Sequence, residues 1–416
     1  MQVPGSKSIS NRALILAALA QGQCNLENLQ FSDDSRRMLQ CLRDLGFGVD
    51  ADESAKSASI VGRGGKIPES SAALDKGVKL FVGNAGTAAR FLPCLAALGS
   101  GQFNFDGDPR MHERPMTELL GLLGEQGSPS DRMAYPFQLR AGGLKGGKVA
   151  IDITQSTQFA SGLMMAAPYA KAPFQIETTG TRDQMPYVAM TAAMMGQFGL
   201  QAQKNGAVWE IPRGHYTSPG TYVIEPDVSG AAYFYAAGAL IGGKVVVGGL
   251  EPNSMQGDIR LLEVMKNHWG CKFFMDDPGL VMVREKGLPL KGLDIDMNAF
   301  SDQALTVAAM APFCEGPTNI RNVAHIRKQE CDRIHAIAKN MAMLGIHTEE
   351  REDGIKIFPG KPQGGLVETF GDHRVAMAFS LVGLKVPGVQ IDNEKCVAKT
   401  FENYWDVFAE FQASHV

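Results

Sequence analysis

The stretch Trp269-Gly270-Cys271-Lys272-Phe273-Phe274-Met275 carries a helical pattern out into a glycine and then into a run that reads as an edge of sheet. A glycine in that place fits a helix C′ position, where the backbone needs a positive φ. The same passage recurs at Leu45-Gly46, Gln126-Gly127, Phe198-Gly199 and Leu344-Gly345. Each copy is followed by a second extended run: Ser59 to Val61, Phe137 to Arg140, Val208 to Ile211, Leu280 to Arg284 and Gly354 to Phe358. Copies about 70–80 residues apart predict a repeated βαβαββ unit, with a sixth shared between the two ends of the chain. Short runs rich in Ala, Met and Gly, such as Ala192 to Met195 and Ala308 to Met310, are expected to lie on helices packed deep inside as core.

The first helix of most units starts on a polar, glycine-bearing segment. The first is Pro4-Gly5-Ser6-Lys7-Ser8-Ile9-Ser10-Asn11-Arg12, and others are Gly83 to Arg90, Gln155 to Phe159, Asp227 to Ala231, Ser301 to Ala304 and Gly371 to Arg374. A helix N-terminus offers unpaired N–H groups and a positive dipole end, so six such starts suit a polyanion, with Arg12, Arg90 and Arg374 adding charge. The spacing around Lys7 is not that of a nucleotide-binding P-loop, because Ser6 precedes the lysine and Met1 stands at the leading glycine. Asn84 and Ser229 read first as helix caps.

With 416 residues, 44% hydrophobic and 20% charged, the chain has the composition of a soluble globular protein of two or three domains. A net charge of −4 argues against nonspecific nucleic-acid binding, so any anion site must be built locally. Seven cysteines without a CxxC pair fit a reducing compartment better than a disulfide framework or a zinc site. The longest apolar run, Ala231 to Gly243, is too short to span a bilayer, and a cytoplasmic location is expected.

Arginines cluster in Asp108-Pro109-Arg110-Met111-His112-Glu113-Arg114-Pro115 and in Ile326-Arg327-Lys328-Gln329-Glu330-Cys331-Asp332-Arg333. The planar guanidinium suits phosphate and carboxylate, although Glu330 and Asp332 also offer themselves as internal salt-bridge partners. These two segments, together with Pro4 to Arg12, Gly83 to Arg90, Ser156 to Gln158, Ser254 to Asp258, Asp372 to Arg374 and Ala398-Lys399-Thr400, resemble the 5-enolpyruvylshikimate-3-phosphate synthase family in order and spacing across essentially the whole chain.

The resemblance implies an α/β fold of two similar inside-out barrel domains, each of three βαβαββ units, with helix N-termini converging on an interdomain cleft. It places one domain at 6–225 and the other at 1–5 plus 226–416. It implies transfer of the enolpyruvyl group of phosphoenolpyruvate to the 5-hydroxyl of shikimate 3-phosphate through a tetrahedral adduct, with phosphate released. Asp302 matches the family's base, Glu330 the acid that protonates the methylene carbon, and Lys7 an assistant in proton transfer. Lys7, Asn84, Gly86, Arg114, Gln158, Arg333, Arg374 and Lys399 match positions for phosphoenolpyruvate. Lys7, Ser8, Arg12, Ser156, Thr157, Gln158, Tyr187 and Asp302 match positions for shikimate 3-phosphate. No metal, organic cofactor, nucleic acid or membrane is implied, and a monomer is expected.

Some positions depart from the family pattern. Gln184 stands where many members have serine, His325 where they have asparagine, and Gln329 where they have lysine. Ala89 and Phe91 depart beside Arg90, which leaves sensitivity to the competitor glyphosate open. Only three residues precede Pro4, so the leading strand is short, and a longer leader is expected to raise stability. The rival readings are the sister transferase acting on UDP-N-acetylglucosamine, which typically pairs the early lysine with asparagine and uses a loop cysteine, and a noncatalytic anion-binding descendant. Ser8 and the cysteine-free Asp108 to Pro115 loop oppose the first, and retention of acid and base groups opposes the second.

Overall fold

Gly46, Gly127, Gly199, Gly270 and Gly345 all adopt positive φ, between 70° and 105°, in a computed structural model that describes residues 1–68, 77–180 and 185–415. They follow the helices Asp33–Asp44, Thr117–Glu125, Pro186–Gln197, Arg260–His268 and Arg333–Met343. After the first of these, Gly46 N–H donates to the Arg43 carbonyl and Phe47 N–H to the Leu42 carbonyl. That pair is a Schellman closure, and it recurs at Gly127, Gly199 and Gly345. At Gly270 the closure differs, with Cys271 N–H reaching the Met265 carbonyl. Each glycine therefore turns a helix into the antiparallel hairpin that ends its repeat.

The chain divides into two bodies, Gly5–Ile224 and Met1–Pro4 with Glu225–Val416. In the first body three sheets each contain a parallel pair. Val78–Phe81 pairs with Gly101–Asp106, Gly147–Asp152 with Phe174–Thr179, and Thr221–Val223 with Gln21–Glu27. A parallel pair needs a crossover, and in the first two pairs a helix supplies it. The last pair closes the body, since its strands come from opposite ends of the segment.

The helices Lys7–Leu19, Gly86–Ala96 and Gln158–Ala166 are the interior. Every residue from Ile9 to Leu19, from Gly86 to Ala96 and from Phe159 to Ala166 is buried. A helix apolar all round must be enclosed on all sides, which is why these lack a polar stripe. Each fully buried Leu or Ile there contributes roughly 1.5–3 kcal/mol. The second helix of each repeat lies outside with one wet face. The run Ala192 to Met195 lies on such an outer helix, with Ala193 exposed, and so is not part of the interior set expected from composition.

The second body repeats the plan with interior helices Val228–Ile241, Ala304–Met310 and His373–Gly383. Asp294–Asp296 pairs in parallel with Thr318–Arg321, and Leu366–Val367 with Gln390–Ile391. Beside the strand Gly243–Gly248, the Met1 amino group donates to the Val246 carbonyl at 2.8 Å and Gly248 N–H donates to the Met1 carbonyl at 3.0 Å, the bonding pattern of a parallel pair. The last repeat ends on the helix Tyr404–His415, with no hairpin after it among the described residues.

Candidate active site

In the first body the polar groups gather where the three interior helices begin. Ser6, Ala85 and Thr157 precede those helices without any side-chain cap. Ser156 Oγ accepts from Gln158 N–H at 3.3 Å. Asn84 does not cap; its Oδ1 lies 3.4 Å from Arg114 Nη1, which also donates to the Asn84 carbonyl at 3.3 Å. The Arg114 guanidinium lies against Gly86 so closely that a β-carbon there would be 2.8 Å from Nη2. Lys7, the first residue of its helix, pairs with Asp34 at 3.3 Å.

Two further cations are fully enclosed in this body. Arg12 donates to Thr191 Oγ1 at 2.7 Å, to Ser161 Oγ at 3.2 Å and to the carbonyls of Ser8 and Tyr187. Its guanidinium also lies 5.2 Å from the Phe91 ring and 5.9 Å from that of Tyr187. Arg90 donates to the carbonyls of Gly86 and Pro115, and its Nε has no partner. Burial pulls the pKa of Arg12 down to about 10 and that of Arg90 to about 9, the latter helped by the charge of Arg114. Arg12, Arg90 and Arg114 thus lack a carboxylate partner among the described residues. Uncompensated cations beside uncapped helix starts hold a standing demand for anions.

The second body has a different electrostatic design, in which cations and carboxylates balance. Arg333 is 2% exposed and donates from Nη1 to Asp302 Oδ1 at 2.8 Å, from Nη2 to Glu330 Oε2 at 3.0 Å and from Nε to Asp372 Oδ2 at 2.8 Å. Burial alone would lower its pKa, but Asp372, Glu330 and Asp302 more than reverse this and raise it above the ordinary arginine value. Asp302 Oδ2 accepts from Arg374 Nη2 at 3.0 Å, and Glu330 Oε1 lies 3.2 Å from Lys399 Nζ. Asp372 and Asp227 cap their helices by accepting from Arg374 N–H and Gly230 N–H. Ser229, the residue read as a cap, instead donates its hydroxyl to the buried Asp258.

Asp332 belongs to the scaffold, since it pairs with Arg327 at 2.8 Å and caps the helix Arg333–Met343. His325 Nε2 lies 2.7 Å from Ser301 Oγ, beside Asp302. Gln329 is partly exposed after the turn Ala324–Lys328, and Gln184 lies outside the described residues. Asp34, Asp372 and Asp258 were not among the assigned site residues. The signal for each was a carboxylate within a turn of a polar helix start. Among the described residues no group of three or more His, Cys, Asp or Glu side chains is placed to hold a metal, and no helix is long and apolar enough to cross a membrane.

The family model described as EPSP synthase (3-phosphoshikimate 1-carboxyvinyltransferase) matches residues 1–408. A 3-phosphoshikimate 1-carboxyvinyltransferase of Nostoc punctiforme is 41% identical over 413 residues, covering 98% of this chain and 95% of the relative. That of Shewanella loihica is 39% identical over 421 residues, covering 98% and 96%. A solved EPSP synthase of Acinetobacter baumannii superposes with a TM-score of 0.83 at 25% identity, covering 99% of this chain and 94% of that one.

Proposed function

The chain belongs to the EPSP synthase family, and from that membership we propose which of its residues carry the reaction. The enzyme moves the enolpyruvyl group of phosphoenolpyruvate onto the 5-hydroxyl of shikimate 3-phosphate, giving 5-enolpyruvylshikimate 3-phosphate and phosphate. These relationships do not favour the sister transferase or a noncatalytic descendant.

Asp302 takes the proton from the 5-hydroxyl as the oxygen attacks C2 of phosphoenolpyruvate. The observation that carries this role is its grip by Arg333 and Arg374, one on each carboxylate oxygen, which fixes its orientation and favours its ionised form. Glu330 delivers a proton to C3, and removes one again when the adduct expels phosphate. Its pairing with Arg333 and Lys399 favours the carboxylate. Anionic phosphoenolpyruvate competes for those same donors and adds negative charge, which raises the affinity of Glu330 for the proton it must deliver. Lys7 assists proton transfer.

Arg114, Arg333, Arg374 and Lys399, with Asn84, Gly86 and Gln158, bind phosphoenolpyruvate. Ser8, Arg12, Ser156, Thr157, Gln158 and Tyr187, with Lys7 and Asp302, hold shikimate 3-phosphate, and His325 and Gln329 are further candidates for it. Preset charges that need no rearrangement as phosphate leaves supply most of the acceleration. The protein works without metal or cofactor, as a cytoplasmic monomer that binds no nucleic acid. The test is phosphate release from phosphoenolpyruvate by purified protein. Turnover with shikimate 3-phosphate and none with UDP-N-acetylglucosamine is expected, and the reverse overturns the assignment.

A further inference from the structure

Asp258 is 4% exposed and lies in the turn before the helix Arg260–His268. One of its oxygens, Oδ2, receives both the Ser229 hydroxyl and the Gln303 side-chain amide, the latter at 2.9 Å. Gln303 is itself fully buried and locked at its other end, where Oε1 accepts from Thr306 Oγ1 at 2.9 Å. Gln303 follows Asp302 directly, so the Asp258 carboxylate anchors the turn that presents Asp302. It also joins that turn to the start of the helix Val228–Ile241.

We propose that Asp258 is a positioning residue for Asp302, which fixes the Ser301-Asp302-Gln303 turn through Gln303 and, as a second negative charge, keeps Asp302 basic enough to accept the substrate proton. The proposal rests on the reading of Asp302 as the base. The groups that face Asp258 from the packed elements are Asp302, Arg374 of the helix His373–Gly383, and the neutral donors Ser229 and Gln303. Burial, with the charge of Asp302 added, pushes the Asp258 carboxyl up to about 6, while Arg374 and the two donors oppose the rise. The repulsion is reciprocal. Once Asp258 ionises, a negative charge on Asp302 becomes less favourable and its proton affinity rises, against the pull of Arg333 and Arg374.

Asp258→Asn keeps an oxygen for both donors and removes only the charge. Its expected signature is a kcat about 3–10-fold lower near pH 7.5, KM values for both substrates within about twofold, and an acidic limb of the kcat profile moved to lower pH by about half a unit. Ser229→Ala removes a donor that stabilises ionised Asp258, which weakens its repulsion of Asp302, so it is expected to move that limb in the same direction as Asp258→Asn and less far. Wild-type profiles in both variants, or equal losses in Asp258→Asn and Asp258→Ala with no shift in either profile, overturn the proposal. Asp302→Asn run alongside separates the two claims. If it is inactive while the Asp258→Asn profile is unmoved, only the positioning role fails. If Asp302→Asn turns over normally, the base assignment itself falls.

Discussion

Arg333 Nη1 lies 2.8 Å from Asp302 Oδ1, and the same guanidinium reaches Asp372 at 2.8 Å and Glu330 at 3.0 Å. One buried cation therefore satisfies the proposed base, the proposed acid and the cap of an interior helix. Its removal takes a cation from three carboxylates at once, although Arg374 still reaches Asp302 and Lys399 still reaches Glu330. Arg333→Met is expected to cost about 3–5 kcal/mol of stability, because an uncompensated buried charge is worse than no pair. Urea unfolding of the variant checks this, and a loss below about 1 kcal/mol speaks against the network as drawn.

Gly86 has no room for a side chain without moving Arg114, since a β-carbon would sit 2.8 Å from Nη2 and 3.2 Å from Nη1. The obstacle is the tip of a flexible side chain, so Gly86→Ala folds and Arg114 gives way. Steady-state kinetics are expected to show KM for phosphoenolpyruvate raised about 10-fold, with KM for shikimate 3-phosphate nearly unchanged. Equal changes in both would remove Arg114 from its assigned substrate.

Much of the fold is legible in the sequence because a helix C′ glycine is a local requirement. Gly46 and its four counterparts need positive φ whatever surrounds them. The polar helix starts were legible for a related reason, since a helix N-terminus is also a local feature. Partners distant in sequence were not. Arg12 meets Thr191, Lys7 meets Asp34 and Ser229 meets Asp258 only after the helices pack. Composition also failed to separate interior from outer helices at Ala192 to Met195, since an outer helix buries one apolar face too and only Ala193 betrays the wet side.

Arg90 stays charged at neutral pH although burial opposes it and its Nε lacks a partner. Arg90→Met is therefore expected to melt no lower than the wild type at pH 7. The sign with pH follows from a folded pKa of about 9 against an ordinary value of 12.5. The penalty is complete below about 9 and fades as pH rises through that value, because the unfolded chain then binds more protons. The advantage of the methionine variant should shrink between about pH 7 and pH 10. A variant that melts well below the wild type at pH 7 would show that Arg90 serves the fold.

Asp302, held between Arg333 and Arg374, is assigned the removal of the proton from the attacking hydroxyl. Its most direct test is single-turnover phosphate release by Asp302→Asn at saturating phosphoenolpyruvate and shikimate 3-phosphate. A rate about 10²–10⁴-fold below wild type is expected, with the dissociation constant of shikimate 3-phosphate changed by less than about threefold. A rate close to wild type with intact binding would contradict it.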